Sequence, residues 1–156
     1  MSGEIVEIHI APTAGASMQS IPTAELEADK GIIGDRYYVH SGTFSEKLVA
    51  KGDADWHVTL IAMEEIDTFN KANEHKFSYG DFRRNIITRG IGLNALVGTQ
   101  FKAGEVLLEG VRLCEPCAHL ASLLSKDILP ALVGRGGLRA RIIEGGKIST
   151  GDNVIK

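Results

Sequence analysis

Glycine restricts the folds open to this chain more than any other residue: there are 18 glycines against 4 prolines, and they cut the sequence into short apolar runs. Tight turns and bulges use residues that accept positive φ, and antiparallel or barrel-like sheets need such turns more often than helical bundles do. Residues 3–10, with Ile5, Val6, Ile8 and Ile10, read as a first strand that Pro12 keeps from continuing as helix. A second strand is expected near Ala24–Ala28, followed by the glycine turn KGIIGDR, and residues 41–55 read as a poorly patterned, mobile loop. WHVTLI, residues 56–61, reads as a strand leading into a helix over 63–72, with Ile66 and Phe69 on one face and Glu64, Glu65 and Asp67 near its start. FRRNIIT predicts a strand, 90–98 a turn-rich link, and TQFKAGEVLLEGVRL a hairpin around Ala103-Gly104. Apolar spacing through Leu120, Leu123, Leu124, Ile128 and Leu132 predicts helix over 119–133, with Pro130 starting a second short helix, before two closing strands in LRARIIEGGKISTGDNVI. The sum is a mostly antiparallel, barrel-like β fold with a few peripheral helices, since a parallel α/β fold would interleave longer regular helices.

Length and charge narrow the function classes. A chain of 156 residues with 44% hydrophobic and 24% charged residues is expected to form one globular domain, 1–156. Its net charge of -3 argues against a broad basic surface that wraps nucleic acid, although a local basic pocket is compatible with it. The absence of a long apolar run, and an acidic rather than basic start in MSGEIVEIHI, predict a cytoplasmic protein without a membrane partner. Two cysteines, Cys114 and Cys117, are too few for a secreted disulfide framework.

Those cysteines carry the most informative local element, LCEPCAHL, between an expected strand and an expected helix. A thiol at a helix N-terminus faces unpaired amide hydrogens, an arrangement that favours the nucleophilic or metal-binding thiolate, and Cys117 holds that position. Small buried hydrophobes are the ordinary alternative for free cysteines, and a zinc site would have to recruit His119, His57, His40 or aspartates as further ligands. On the expected strand FRRNI, Arg83 and Arg84 point to opposite faces, so one of them can enter a pocket as a paired donor to phosphate, beside Asn85. Arg36 in GIIGDR, and Arg135, Arg139 and Arg141 in GRGGLRAR, sit near glycine turns that can wrap an anion, although neither matches a known phosphate loop. Arg139 and Arg141 share one strand face. His40 and His57 flank the 41–55 loop and can meet at one site if that loop is a flap.

Taken in order, GIIGDR, FRRNIITRG, LVGTQFKAGEVLLEGVRLCEPC and GRGGLRARIIEGGKISTGD resemble the MOSC family, named after the C-terminal domain of molybdenum cofactor sulfurases. The resemblance covers nearly the whole chain. It implies a β-barrel-like fold of the pyruvate-kinase-barrel kind, and a cysteine, here Cys117, that carries abstracted sulfur or ligates molybdenum through bound molybdopterin. Arg84 and Asn85 match the family's arginine-asparagine pair, with Arg83 at a variable neighbouring position. Arg36 and Arg139 are expected to join them in gripping the cofactor's anionic groups. Larger amidoxime-reducing members of the superfamily imply a possible reduction of N-hydroxylated compounds, with electrons from an electron-transfer protein. The sulfurases also associate the family with pyridoxal phosphate, but 156 residues leave no room for their desulfurase domain. Sulfur would therefore come from a partner such as a cysteine desulfurase. A cofactor-storage module without catalysis, and a redox couple of Cys114 with Cys117, stand as the other readings.

Overall fold

The computed structural model describes residues 1–38 and 57–156; the loop expected at 41–55, with His40 and Trp56, lies outside them. The strands are β1 (Ser2–Ile10), β2 (Gln19–Ile21), β3 (Thr23–Glu27), β4 (Gly31–Ile32), β5 (Val58–Ala62), β6 (Ile86–Arg89), β7 (Gln100–Ala103), β8 (Val106–Leu113), β9 (Leu138–Glu144), β10 (Gly146–Ser149) and β11 (Asn153–Ile155). The helices among the described residues are α1 (Met63–Ala72), α2 (Ala118–Leu123) and α3 (Ile128–Leu132), with 3-10 turns at Tyr79–Phe82 and Leu93–Leu96.

Seven strands, in the order β11-β7-β8-β9-β5-β6-β1, form a barrel that closes where β1 pairs with β11. Every pairing in it is antiparallel except β5 with β6, the pair bridged by α1. β2 extends from β1, and β10, β3 and β4 make a separate small sheet. The fold is thus mostly β, barrel-like and largely antiparallel, with short peripheral helices, as the glycine punctuation predicts.

Period-two alternation explains why helices cover this particular wall. Leu60 and Ile86 point into the barrel with Ile5, Ile8, Phe101, Leu108 and Ile142. Their neighbours Ile61 and Ile87 point outward and are covered by Ile66 and Phe69 of α1, Phe82, Leu120 of α2, and Ile128 and Leu132 of α3. The rings of Phe69 and Phe82 meet edge to face at 5.9 Å. This second apolar layer brings the start of α2 against the segment that leads into β6. Among the described residues no helix is long and apolar enough to cross a membrane.

Three sequence expectations are corrected. The strand in FRRNIIT begins only at Ile86. Arg83 caps the preceding 3-10 turn in the left-handed conformation (φ 60°, ψ 29°), so strand alternation does not govern the two arginines. The helix after Cys117 breaks into two, the second starting at Ile128 rather than at Pro130. The C-terminal segment forms three strands instead of two because Gly146 and Gly151, at φ 153° and 90°, each turn the chain.

Candidate functional site

The segment Cys114–Cys117 leaves β8 and enters α2. Cys117 is the N-cap residue, extended at φ -130° and ψ 165°, and its Sγ accepts from the Leu120 amide at 3.5 Å. Cys114 is 2% exposed, whereas Cys117 is half-buried, and both thiols are free. The Glu115 carboxylate accepts from the Gly134 amide at 3.0 Å. That contact directs its charge toward the Gly134–Gly137 loop, which is further tied down where the Cys114 amide donates to Gly137 O at 2.8 Å.

Around Cys117 the structure gathers Arg36, Arg83, Arg84 and Arg139, with Tyr37, Glu115, His119 and Leu120, in one cleft of about 70 Å³. The arginines arrive from three places: Arg36 from the turn after β4, Arg83 and Arg84 from the segment between Phe82 and β6, and Arg139 from β9. Arg84 is buried; its Nε donates to Gly136 O at 2.9 Å, and its two terminal nitrogens donate to Phe82 O at 3.4 Å and Cys114 O at 3.3 Å. A guanidinium has five N–H donors, so Arg84 can brace the cysteine segment and still present donors to the cleft. Arg36 is held by the fully buried Asp35 at 3.1 Å, lies over the Tyr37 ring at 4.5 Å, and donates to Arg83 O at 3.0 Å. Asp35 also accepts from the Ala11 amide at 3.0 Å and the Tyr37 amide at 3.3 Å, which fixes the GIIGDR turn against the end of β1. Arg139 enters from β9.

Arg83 donates to Ala16 O at 2.7 Å. Burial, and then the positive charge of Arg36, push its pKa below the ordinary arginine value. Two guanidiniums so placed repel each other, and an anion between them relieves that repulsion. The sequence treats Arg83 as a variable neighbour pointing away from Arg84, yet both line this cleft. Tyr37, directly after GIIGDR, also lines the cleft, and its place beside Arg36 in the sequence is the signal for it.

Asn85 does not line the cleft. It is fully buried behind it: Oδ1 accepts from the Thr59 amide at 3.1 Å and the Thr59 hydroxyl at 3.2 Å, and Nδ2 donates to His9 O at 3.1 Å. Its side chain joins β5 to β1 where β6 begins. Arg141 shares the Arg139 face of β9 but pairs with Glu109 on β8 at 3.0 Å. Arg135 stands outside, 4.0 Å from Glu65. His57 is buried, and its Nδ1 accepts from the Ile142 amide at 3.2 Å, while His40 lies outside the described residues. No three His, Cys, Asp or Glu side chains converge on a metal position among the described residues. A larger groove of about 700 Å³, lined by Glu64, Glu65, Asn94 and Arg135, contains neither cysteine nor any of the clustered arginines. Its size does not outweigh the chemistry gathered at Cys117.

A closed seven-stranded barrel with an arginine-lined cleft around a helix-capping cysteine defines the class of protein: a small β-barrel domain whose half-buried thiol shares one cleft with four arginines. The family profile of the MOSC domain matches residues 47–155, and the chain belongs to that family. Its fold is similar to that of the YuaD protein from Bacillus subtilis, with a TM-score of 0.82 at 14% identity, covering 99% of this chain and 94% of that one. YiiM from Geobacillus stearothermophilus is similar at a TM-score of 0.74 and 17% identity, covering 98% of this chain and 74% of that one. YiiM from Escherichia coli is similar at 0.68 and 18%, covering 99% and 69%. Comparison with curated protein sequences found no match.

Proposed function

We propose that this MOSC domain, acting as one unit over residues 1–156, binds the phosphate-bearing molybdenum cofactor with its anionic end among the arginines and its soft, metal-bearing end toward Cys117. The observation that carries the reading is the convergence of Arg36, Arg83, Arg84 and Arg139 on the one half-buried thiol. Arginine's planar fork suits phosphate, and a thiolate suits a soft metal or sulfur. The cleft's charge fits the cofactor's phosphate. Its volume of about 70 Å³ fits that head group alone, because pockets that enclose a whole small ligand run to roughly 300–1,000 Å³. When bound, the cofactor would supply two-electron redox chemistry. The protein's own part is to neutralise the phosphate, to hold the Cys117 thiol at the helix start, and to brace the segment carrying it through Arg84.

In the sulfur-carrier form of this reading, Cys117 thiolate attacks the outer sulfur of a partner's persulfide. A new S–S bond forms on Cys117 as the partner's S–S bond breaks, and the partner's thiolate leaves. The partner is a sulfur donor such as a cysteine desulfurase; in a reductase of N-hydroxylated compounds it is an electron-transfer protein. Both roles belong in the reducing cytoplasm, where free thiols persist. A redox couple is the weaker reading because Cys114 is buried. The test is metal and pterin analysis of protein made in a cofactor-competent host, with Cys117→Ser beside the native chain. Stoichiometric molybdenum and pterin in the native protein, with metal reduced in the variant, supports the reading; a native protein free of both overturns it.

A further inference from the structure

Next to the cysteine cleft lies a second cavity of about 350 Å³, lined by His9, Ser17, Ser20, Ser78, Asp81 and Arg83 among others. Arg83 is the wall common to the two spaces. Leu120 and Leu123, one turn apart on α2, contribute one to each. We propose that this cavity is a second binding compartment of the same site, built to receive an uncharged group bearing N–H or O–H donors.

The warrant begins with His9. Its ring is 7% exposed and its Nε2 lies 2.7 Å from a Glu7 carboxylate oxygen. An ionised carboxylate only accepts, so in the neutral ring Nε2 carries the proton and Nδ1 presents a lone pair. That Nδ1 is buried and has no hydrogen-bond partner among the described residues. A buried ring nitrogen left unmatched is costly, and an external donor removes the cost. The main chain around His9 is fixed: its amide donates to Asn85 O at 2.7 Å, its carbonyl accepts from Asn85 Nδ2, and Ser20 stands opposite it on β2.

Gly80 supplies the second observation. It takes no positive φ, so the backbone does not demand glycine there. A Cβ at Gly80 would instead stand 2.8 Å from His9 Cε1 and 2.9 Å from Nδ1, so only glycine lets the main chain pass this close to the edge of the ring that carries the lone pair. Around that edge the serine hydroxyls and the Asp81 carboxylate add acceptors, and Asp81 already accepts from the Ser78 amide at 2.9 Å. The lining therefore offers mostly acceptors at one end and the Arg83 guanidinium at the other. A ligand with an anion among the arginines and a neutral, donor-bearing body over His9 satisfies both, and about 350 Å³ falls within the roughly 300–1,000 Å³ of small-molecule pockets.

This inference rests on the proposed anion site but is tested separately. The native protein, Gly80→Ala and Ser20→Leu are titrated by NMR with inorganic phosphate, and separately with formamide, cytosine and 6-hydroxymethylpterin as uncharged donor-bearing probes. Ser20 is exposed on the rim, so its variant blocks the cavity without disturbing the core, should Gly80→Ala fold poorly. The expected result is that at least one neutral probe shifts the His9 ring resonances of the native protein, that both variants lose those shifts, and that phosphate still shifts the arginine resonances in all three. Phosphate binding without any neutral-probe shift at His9, or His9 shifts that persist in both variants, overturns the second compartment alone. Absence of both responses overturns the anion site as well.

Discussion

The terminal nitrogen Nη2 of Arg84 donates to the main-chain carbonyl of Cys114 across 3.3 Å, while its Nε holds Gly136 O at 2.9 Å. One buried cation thus joins the strand that delivers the cysteines to the loop that returns from the helices. Arg84→Lys keeps the charge but loses the fork, and an ammonium cannot span these carbonyls. Loss of stability of roughly 1–3 kcal/mol is expected in urea unfolding, with an unchanged m-value.

Asn85→Ala is expected to cost a similar amount, roughly 1–3 kcal/mol, because it strands the Thr59 amide and hydroxyl and the His9 carbonyl in a dry interior. Phosphate affinity, measured by calorimetry on the folded fraction, should change little, since Asn85 does not face the cleft. A large affinity loss at unchanged stability would return Asn85 to the ligand site.

These two neighbours show what could be read in the sequence and what could not. Alternating runs and glycine turns made the barrel legible, because strand periodicity and turn chemistry are local properties. The helix over 63–72 was legible from Ile66 and Phe69 for the same reason. Cys117 and the arginines could be named from residue chemistry and order. Their division of labour could not, because it depends on one residue: Arg83 adopts the left-handed conformation and resets the chain direction just before β6. Arg83 and Arg84 therefore share a cleft that alternation would have kept apart, and Asn85 turns inward to Thr59. His9 gave no signal in sequence, because its setting depends on the close approach of Gly80, more than seventy residues away along the chain.

Cys117 should be alkylated before Cys114 at neutral pH. Cys114 is 2% exposed and its amide and carbonyl are both bonded, whereas Cys117 opens onto the cleft. Peptide mass spectrometry after a brief iodoacetamide pulse reads the order, and equal labelling would contradict it.

Tyr79 should ionise well above the ordinary phenol value. Burial first, and then its 2.8 Å hydrogen bond to Asp67, push its pKa up to about 12. In the unfolded chain the phenol ionises near 10. Between those values the folded state holds the proton that the unfolded state has lost, so this contribution to stability is complete below about 10 and disappears as pH rises through about 12. Ultraviolet titration of the native protein against Asp67→Asn should show one phenol moving down part of the way in the variant.

Closure of the barrel by β1 and β11 pairs Ser2 with Ile155, and the Lys156 amide donates to Met1 O at 3.1 Å. In chain order β1 must therefore wait for β11, made after all the other barrel strands, before that stretch of its second edge is paired. Such distant pairing slows folding, and until it forms, β1 and β7 each present an open row of amides and carbonyls to other nascent chains. Deleting Asn153–Lys156 would make that vulnerable interval permanent, so the seam between β1 and β11 bears on how safely the domain is synthesised as well as on how firmly the finished barrel holds together.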